Sequence, residues 1–172
     1  PAEEMRTPGP GQVRGLLTVA GNPVLTTPNG AQLDRALADL ELVICVDPYL
    51  NETTRHAHLI LPPVSVLERP HYDVVFHLLA VRNTAKLSEP LFTPPPGALD
   101  DGQILLGLAR RLATRRHGRF SKEALALAMQ DRLGPLRLLD LGLRAGPYGA
   151  GANLLKEGLT LNRLRQHRHG VD

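Results

Sequence analysis

Hydrophobic and polar positions along the first third of the chain fall into short blocks with different periods. The run GLLTVA, Gly15 to Ala20, is almost wholly apolar and enters a turn at Gly21, Asn22 and Pro23, which predicts a buried strand with a loop at its C-terminal end. A helix follows, with Asn29 after Pro28 as its N-cap and Leu33, Ala36, Leu37 and Leu40 recurring at i, i+3, i+4 and i+7 on one apolar face. LVICVD is a second strand, rich in β-branched residues and free of polar ones until Asp47, as expected when both faces are covered. NETTRHA predicts one or two helical turns capped by Asn51, and HLILP a third, short strand. Strand, helix, strand in this order form a βαβ unit, and the fold class is α/β with a doubly wound, mainly parallel sheet, flanking helices and a helical C-terminal part.

The pattern is less regular from Val64 to Pro96. DVVFHLLAVRN has the composition of a strand, and SEPLFTPPPG must be an extended connection because its prolines forbid helix. Three helices with legible ends come next. Asp100 or Asp101 caps one carrying Leu105, Leu108, Ala109 and Leu112, which ends near Gly118. Ser121 caps another with Leu125, Ala128 and Met129, stopping at Gly134, and Pro135 starts a third with Leu136, Leu139 and Leu143. The tail YGAGANLLKEGLTLNRLRQHRHGVD is expected to be mainly loop, with a weak helical turn around Leu161 and Leu164.

Composition narrows the function classes. With 172 residues, of which 42% are hydrophobic, the chain can bury a core of its own, and with 3% aromatics and no Trp that core should be aliphatic. The net charge of +3 carries no basic stripe of the kind a nucleic-acid binder needs. RRLATRRHGR, Arg110 to Arg119, reads more simply as a helix C-terminus with favourable positive charge than as a phosphate or partner site. Cys45 is the single cysteine, so an internal disulfide, a CxxC redox pair and a cysteine-ligated iron–sulfur cluster are excluded, and a buried inert thiol is expected. No run approaches the length of a membrane span and the N-terminus has no signal pattern, so neither membrane insertion nor nucleic-acid binding is expected and the location is expected to be cytoplasmic. The sequence starts without Met and stops at Asp172 in mid-pattern, which leads to the expectation of a segment of a longer protein.

In an open parallel sheet, ligands bind outside the carboxyl ends of the strands. AGNP and VDPYLNETT both fall at such ends and should lie side by side on one rim. Gly21 permits close backbone approach, Asn22 offers an amide, Asp47 a carboxylate, and Thr53 and Thr54 hydroxyls near a helix start. A carboxylate accepts two parallel hydrogen bonds from N1–H and the 2-amino group of guanine, whereas adenine presents an acceptor at N1 and is rejected. Backbone N–H groups at the Gly21 loop and at the Asn51 turn suit a pyrophosphate or pterin edge. On the residues alone Asp47 fits equally well as a cap of the turn before Pro48.

LLTVAGNPVLTTPNGAQLDRALADLELVICVDPYLNETTRHAHLILPP, followed by LERPHYD, resembles the cofactor-binding domain of the molybdopterin oxidoreductases, the dimethyl sulfoxide reductase and formate dehydrogenase superfamily. The shared pattern is a strand into a Gly-Asn-Pro turn, a helix, a strand ending in Asp, an ETA-like turn, an Ala-Asp pair and Leu-Pro before a Glu. It covers Leu16 to about Glu68 closely and the GALDDGQILLGLARRLA helix more loosely. The resemblance implies a Rossmann-like domain, placed here over residues 15–120; a disordered or linker segment is expected over 1–14, and a helical extension and loop-rich tail over 121–172, part of the same domain or leading to a missing one. It implies a site for one of two molybdopterin guanine dinucleotides, in which Gly21, Asn22 and Pro23 lie against the cofactor, Asp47 with Pro48 takes the guanine, and Glu52, Thr53 and Thr54 line the following turn. The chain departs from the pattern at His58, where the family usually has Asp after Ala57.

Family members usually carry a cysteine cluster, a ligand to the molybdenum and a C-terminal barrel, none of which is evident in these residues. The expectation is therefore a cofactor-binding part of an oxidoreductase, inactive alone, with no catalytic residue, no metal ligand and no iron–sulfur cluster of its own. Its expected partners are other domains of the same enzyme and electron-transfer subunits. The alternative is a free-standing guanine-nucleotide or cofactor-carrier module without redox activity. His56 with His58, and His167 with His169, lack the further ligands of a zinc site, and Glu68 with His71 and Tyr72 fits an exposed polar turn better than an acid–base group.

Overall fold

The computed structural model of the chain describes residues 1–151 and 157–172, in two compact units, Pro1–Val64 and Ser65–Asp172. The division falls inside the stretch 15–120 that was expected to be one domain. Residues 152–156 of the expected C-terminal loop lie outside the described residues.

The first unit is α/β. Strands β1 (Gly15–Val19), β2 (Leu42–Val46) and β3 (Leu59–Ile60) form a parallel sheet in that order, with Val19 opposite Val46 and Ile44 opposite Leu59. Helices α1 (Ala2–Arg6), α2 (Pro23–Thr26) and α3 (Gly30–Ala38) belong to the same unit. Alternation along the strands sends Leu16, Val43 and Cys45 into a core with Met5, Leu33, Ala36, Leu37 and Leu40, so the helical face read from the sequence is the buried one. Burying these aliphatic side chains is the main force holding α3 on the sheet, at roughly 1.5–3 kcal/mol for each large one. On the other face Leu17, Val19, Leu42 and Leu59 are 39–48% exposed while Val46 is buried, so that face is only partly covered, where the unbroken apolar strands had predicted cover on both.

Two local expectations change. The segment 1–14, expected to be disordered or a linker, opens with α1, whose Met5 is buried in the core. Val13 N–H to Glu4 O (2.9 Å) and Gln12 Nε2–H to Met5 O (2.8 Å) return the chain from α1 towards β1. Asn29 does precede α3, but it acts through a left-handed backbone (φ 58°), and its side-chain amide donates to Gln32 Oε1 instead of capping a main-chain N–H.

The second unit is mainly helical. A two-stranded antiparallel ladder, β4 (His71–Tyr72) with β5 (Leu87–Ser88), accompanies α4 (Val74–Leu79), α5 (Asp101–His117), α6 (Lys122–Leu133), α7 (Pro135–Ala145) and α8 (Leu161–Gln166). Ala85, Leu87, Leu161 and Leu164 form its buried cluster, against which Leu136, Leu139 and Leu143 pack. The ends of α5, α6 and α7 fall where the capping residues placed them. Asp100 and Gln103 form a reciprocal capping box, and Ser121 caps α6 through Ala124 N–H. DVVFHLLAVRN, read as a strand, contains α4 instead, because the Asp73 carboxylate accepts Phe76 N–H and starts a helix despite the β-branched residues that follow. Among the described residues no helix is long and apolar enough to cross a membrane.

Candidate functional site

The register of β1 on β2 ends both strands level, so residues 20–22 and 47–49 leave the sheet side by side at its carboxyl edge. Ala20 N–H continues the ladder to Val46 O (2.9 Å), and Ala20 turns the chain away with φ 50°, a left-handed conformation in which its Cβ is strained. Gly21 follows without positive φ. A Cβ added there would meet only Val19 O, at an ordinary 3.7 Å, so the protein's own packing does not demand glycine at this position. Gly30 is the contrast, since a Cβ there would lie 2.0 Å from Val24 O.

Asp47 is buried, with 6% exposure. Its Oδ1 accepts Tyr49 N–H at 2.8 Å and its Oδ2 lies 3.5 Å from Asn51 Nδ2, at the outer limit of a hydrogen bond. The carboxylate therefore caps the turn through Pro48, and each oxygen keeps acceptor capacity beyond these contacts. Asn51 organises the rest of the loop. Its Oδ1 accepts both Thr53 N–H and Thr54 N–H at 3.0 Å, opening the single 3₁₀ turn Thr54–His56 that stands where one or two helical turns were expected.

Asn22 joins the two loops. Its Nδ2 donates to Glu52 Oε2 (2.6 Å) and its Oδ1 accepts the Thr53 hydroxyl (2.7 Å), while Thr53 Oγ1 in turn accepts Val24 N–H (3.1 Å). This bond from Asn22 holds the Glu52 carboxyl below its ordinary range. Thr54 Oγ1 accepts Asn51 N–H (2.7 Å) and donates to Tyr49 O (2.9 Å). Both threonines are almost fully buried, so their hydroxyls brace the loop from within. Pro23 begins α2 at its first position, where its missing N–H costs nothing, and Pro48 is exposed.

Of the residues singled out from the sequence, Gly21, Asn22, Asp47 and Glu52 are thus brought together along one rim, with Thr53 and Thr54 beneath them. Sequence reasoning missed Ala20, whose strain follows from a backbone angle alone, and Asp34 of α3. The Asp34 carboxylate accepts from Arg55 Nη2 and from His56 Nε2, both at 2.6 Å. It also placed no role on His58, whose Nδ1 accepts Val43 N–H at 3.0 Å. Cys45 is buried in the sheet, and no group of three or more metal-ligating side chains occurs among the described residues. Chemically, the rim offers acceptors from two carboxylates, one buried and one exposed, beside a stretch of backbone open to close approach.

The molybdopterin oxidoreductase family matches residues 2–111, a stretch that contains the whole rim. The assimilatory nitrate reductase catalytic subunit of Bacillus subtilis (strain 168) is 30% identical over 115 residues, covering 67% of this chain and 16% of the relative. The NADPH-Fe(3+) oxidoreductase subunit alpha of Geobacter sulfurreducens (strain DL-1 / KN400) is 34% identical over 59 residues, 34% of this chain and 7% of the relative. The chain therefore spans a small part of the length of these oxidoreductases. Matched over more than half its length, from α1 into α5, it belongs to the molybdopterin oxidoreductase family.

Proposed function

We propose that the chain holds the guanine dinucleotide end of a molybdopterin cofactor on the rim formed by Gly21, Asn22, Asp47 and Glu52, as a Rossmann-like part of an oxidoreductase. Asp47 takes N1–H and the 2-amino group of guanine on the acceptor capacity that Tyr49 and Asn51 leave open. The backbone at Gly21 lies against the cofactor where a methyl group would intrude. The molybdenum centre supplies the redox chemistry when the cofactor is bound, and its ligand comes from outside these residues. This chain's share is binding and orientation, with the rest of the enzyme and its electron-transfer partners completing the reaction.

The observation that carries the reading is Gly21. A glycine that neither φ nor internal packing requires, set beside a buried carboxylate at the carboxyl edge of a parallel sheet, fits a bound group better than it fits the needs of the fold. The acceptors agree, since the Asp47 carboxylate suits the donor-rich edge of guanine and adenine would face it with an acceptor. Titration calorimetry of the chain with GDP and with ADP tests it. Saturable binding of GDP with at least about tenfold preference over ADP is expected from two charge-assisted hydrogen bonds. Equal affinities, or no binding of either, would overturn the reading.

A further inference from the structure

The loop over residues 47–57 is held at two points, residues 52–53 and 55–56, by different parts of the first unit. Asn22 holds Glu52 and Thr53 from the β1 side. Asp34 holds Arg55 and His56 from α3. Helix α3 is a fixed support, because Leu33, Ala36 and Leu37 around Asp34 are buried in the core. The Arg55 side chain is 54% exposed and its ion pair is weak in water, whereas the His56 side chain is only 15% exposed and its contact fixes a geometry.

We infer that Asp34 is a positioning residue for the rim, acting through His56 and the 3₁₀ turn to hold Asp47 where guanine meets it. The connection is continuous. Asp34 anchors His56 in the turn Thr54–His56, the N–H of Thr54 at the head of that turn bonds Asn51 Oδ1, and the Nδ2 of the same Asn51 side chain points to Asp47 Oδ2. A turn released from α3 moves Asn51, and Asn51 is what approaches the outer oxygen of Asp47. The inference rests on the proposed guanine site, but its structural part, the order of the loop, can be measured without a ligand.

Two measurements on the full 172-residue chain decide it. In Asp34→Ala, hydrogen exchange at the Thr53 and Thr54 amides should accelerate, with amides of β1 and β2 unchanged. GDP affinity should fall about three- to tenfold, as expected when the binding-competent loop becomes a fraction of the population. Asp34→Asn, which keeps an oxygen acceptor at the same place, should restore both to near the parent values. Unchanged exchange at Thr53 and Thr54 in Asp34→Ala would overturn the inference. So would unchanged GDP affinity in Asp34→Ala alongside weakened affinity in Asp47→Asn. If the parent chain binds no GDP, the guanine reading fails, and the exchange data still decide whether Asp34 orders the loop.

Discussion

His58 and Val43 bond twice: His58 Nδ1 accepts Val43 N–H at 3.0 Å, and His58 N–H donates to Val43 O at 2.9 Å. Val43 is fully buried in β2, and its amide would otherwise lack a partner at the point where the loop rejoins the sheet as β3. The family resemblance implies Asp at this position, and Asp Oδ1 is attached to Cγ as His Nδ1 is. The departure from the family pattern thus keeps the acceptor that β2 needs.

His58→Asn and His58→Asp should therefore retain stability, whereas His58→Ala should lose about 1 kcal/mol, the usual consequence of stranding one main-chain donor. Urea denaturation of the three variants checks this. A loss in His58→Asp equal to that in His58→Ala would show that the ring's packing matters and the hydrogen bond does not.

Ala20 sits at φ 50°, where a Cβ costs about 1–2 kcal/mol that glycine avoids. Ala20→Gly should raise stability by about 1 kcal/mol after the larger chain entropy of glycine is offset. Thermal melting reads this directly, and a lower melting temperature would place the strain elsewhere.

Gly21 and Gly30 should separate binding from folding. Gly30→Ala drives a Cβ to 2.0 Å from Val24 O and should cost stability on the order of 3 kcal/mol or more through forced backbone movement. Gly21→Ala meets only an ordinary contact and should leave melting unchanged while weakening GDP binding. Equal melting losses in the two variants would remove the argument that Gly21 serves a ligand.

The ties of the rim loop are sensitive to acid. Arg55 first, and then His56, hold Asp34 below its ordinary value of 3.8, and Asn22 holds Glu52 below 4.5. A carboxyl lowered in the folded state contributes its stabilisation above the ordinary value and loses it as pH falls through the folded one. Loop order should thus be complete at neutral pH and decline below about pH 4. The Nδ2 resonances of Asn22, followed from neutral to acid, report the Glu52 tie. In the double variant Asp34→Asn, Glu52→Gln the acid decline in stability should be shallower, and an unaltered acid limb would assign it to other groups.

Much of the first unit was legible because each element carries its own signal. The apolar strands, the i, i+3, i+4, i+7 face of α3 and the turn residues at Gly21–Pro23 and Asp47–Pro48 all act locally. The ends of α5, α6 and α7 were legible for the same reason, since a capping box, a serine cap and glycine stops are read within a few residues. Long-range choices were not. Asp34 finds Arg55 and His56 across 21 and 22 residues, and nothing in the sequence near Asp34 marks them. Met5 is the one large apolar residue of a mainly polar helix, and its burial with Ala2 and Val13 against the core depends on contacts distant in sequence. α4 shows two local signals in conflict, where one carboxylate cap outweighed a run of β-branched residues. The threonines were read as lining the loop beside a cofactor, but their burial, which turns them into braces, follows from contacts with Asn22, Asn51 and Tyr49 that spacing does not encode.

The most direct measurement of the central claim is the GDP affinity of Asp47→Asn beside its melting temperature. Asparagine keeps an Oδ1 to accept Tyr49 N–H, so the turn should hold and melting should stay at the parent value. What it loses is charge and one acceptor. Hydrogen bonds to charged groups contribute roughly 1.5–3 kcal/mol each, so GDP should bind at least about tenfold more weakly. Unchanged GDP affinity together with a marked fall in melting temperature would contradict the account and leave Asp47 as a cap of its own turn.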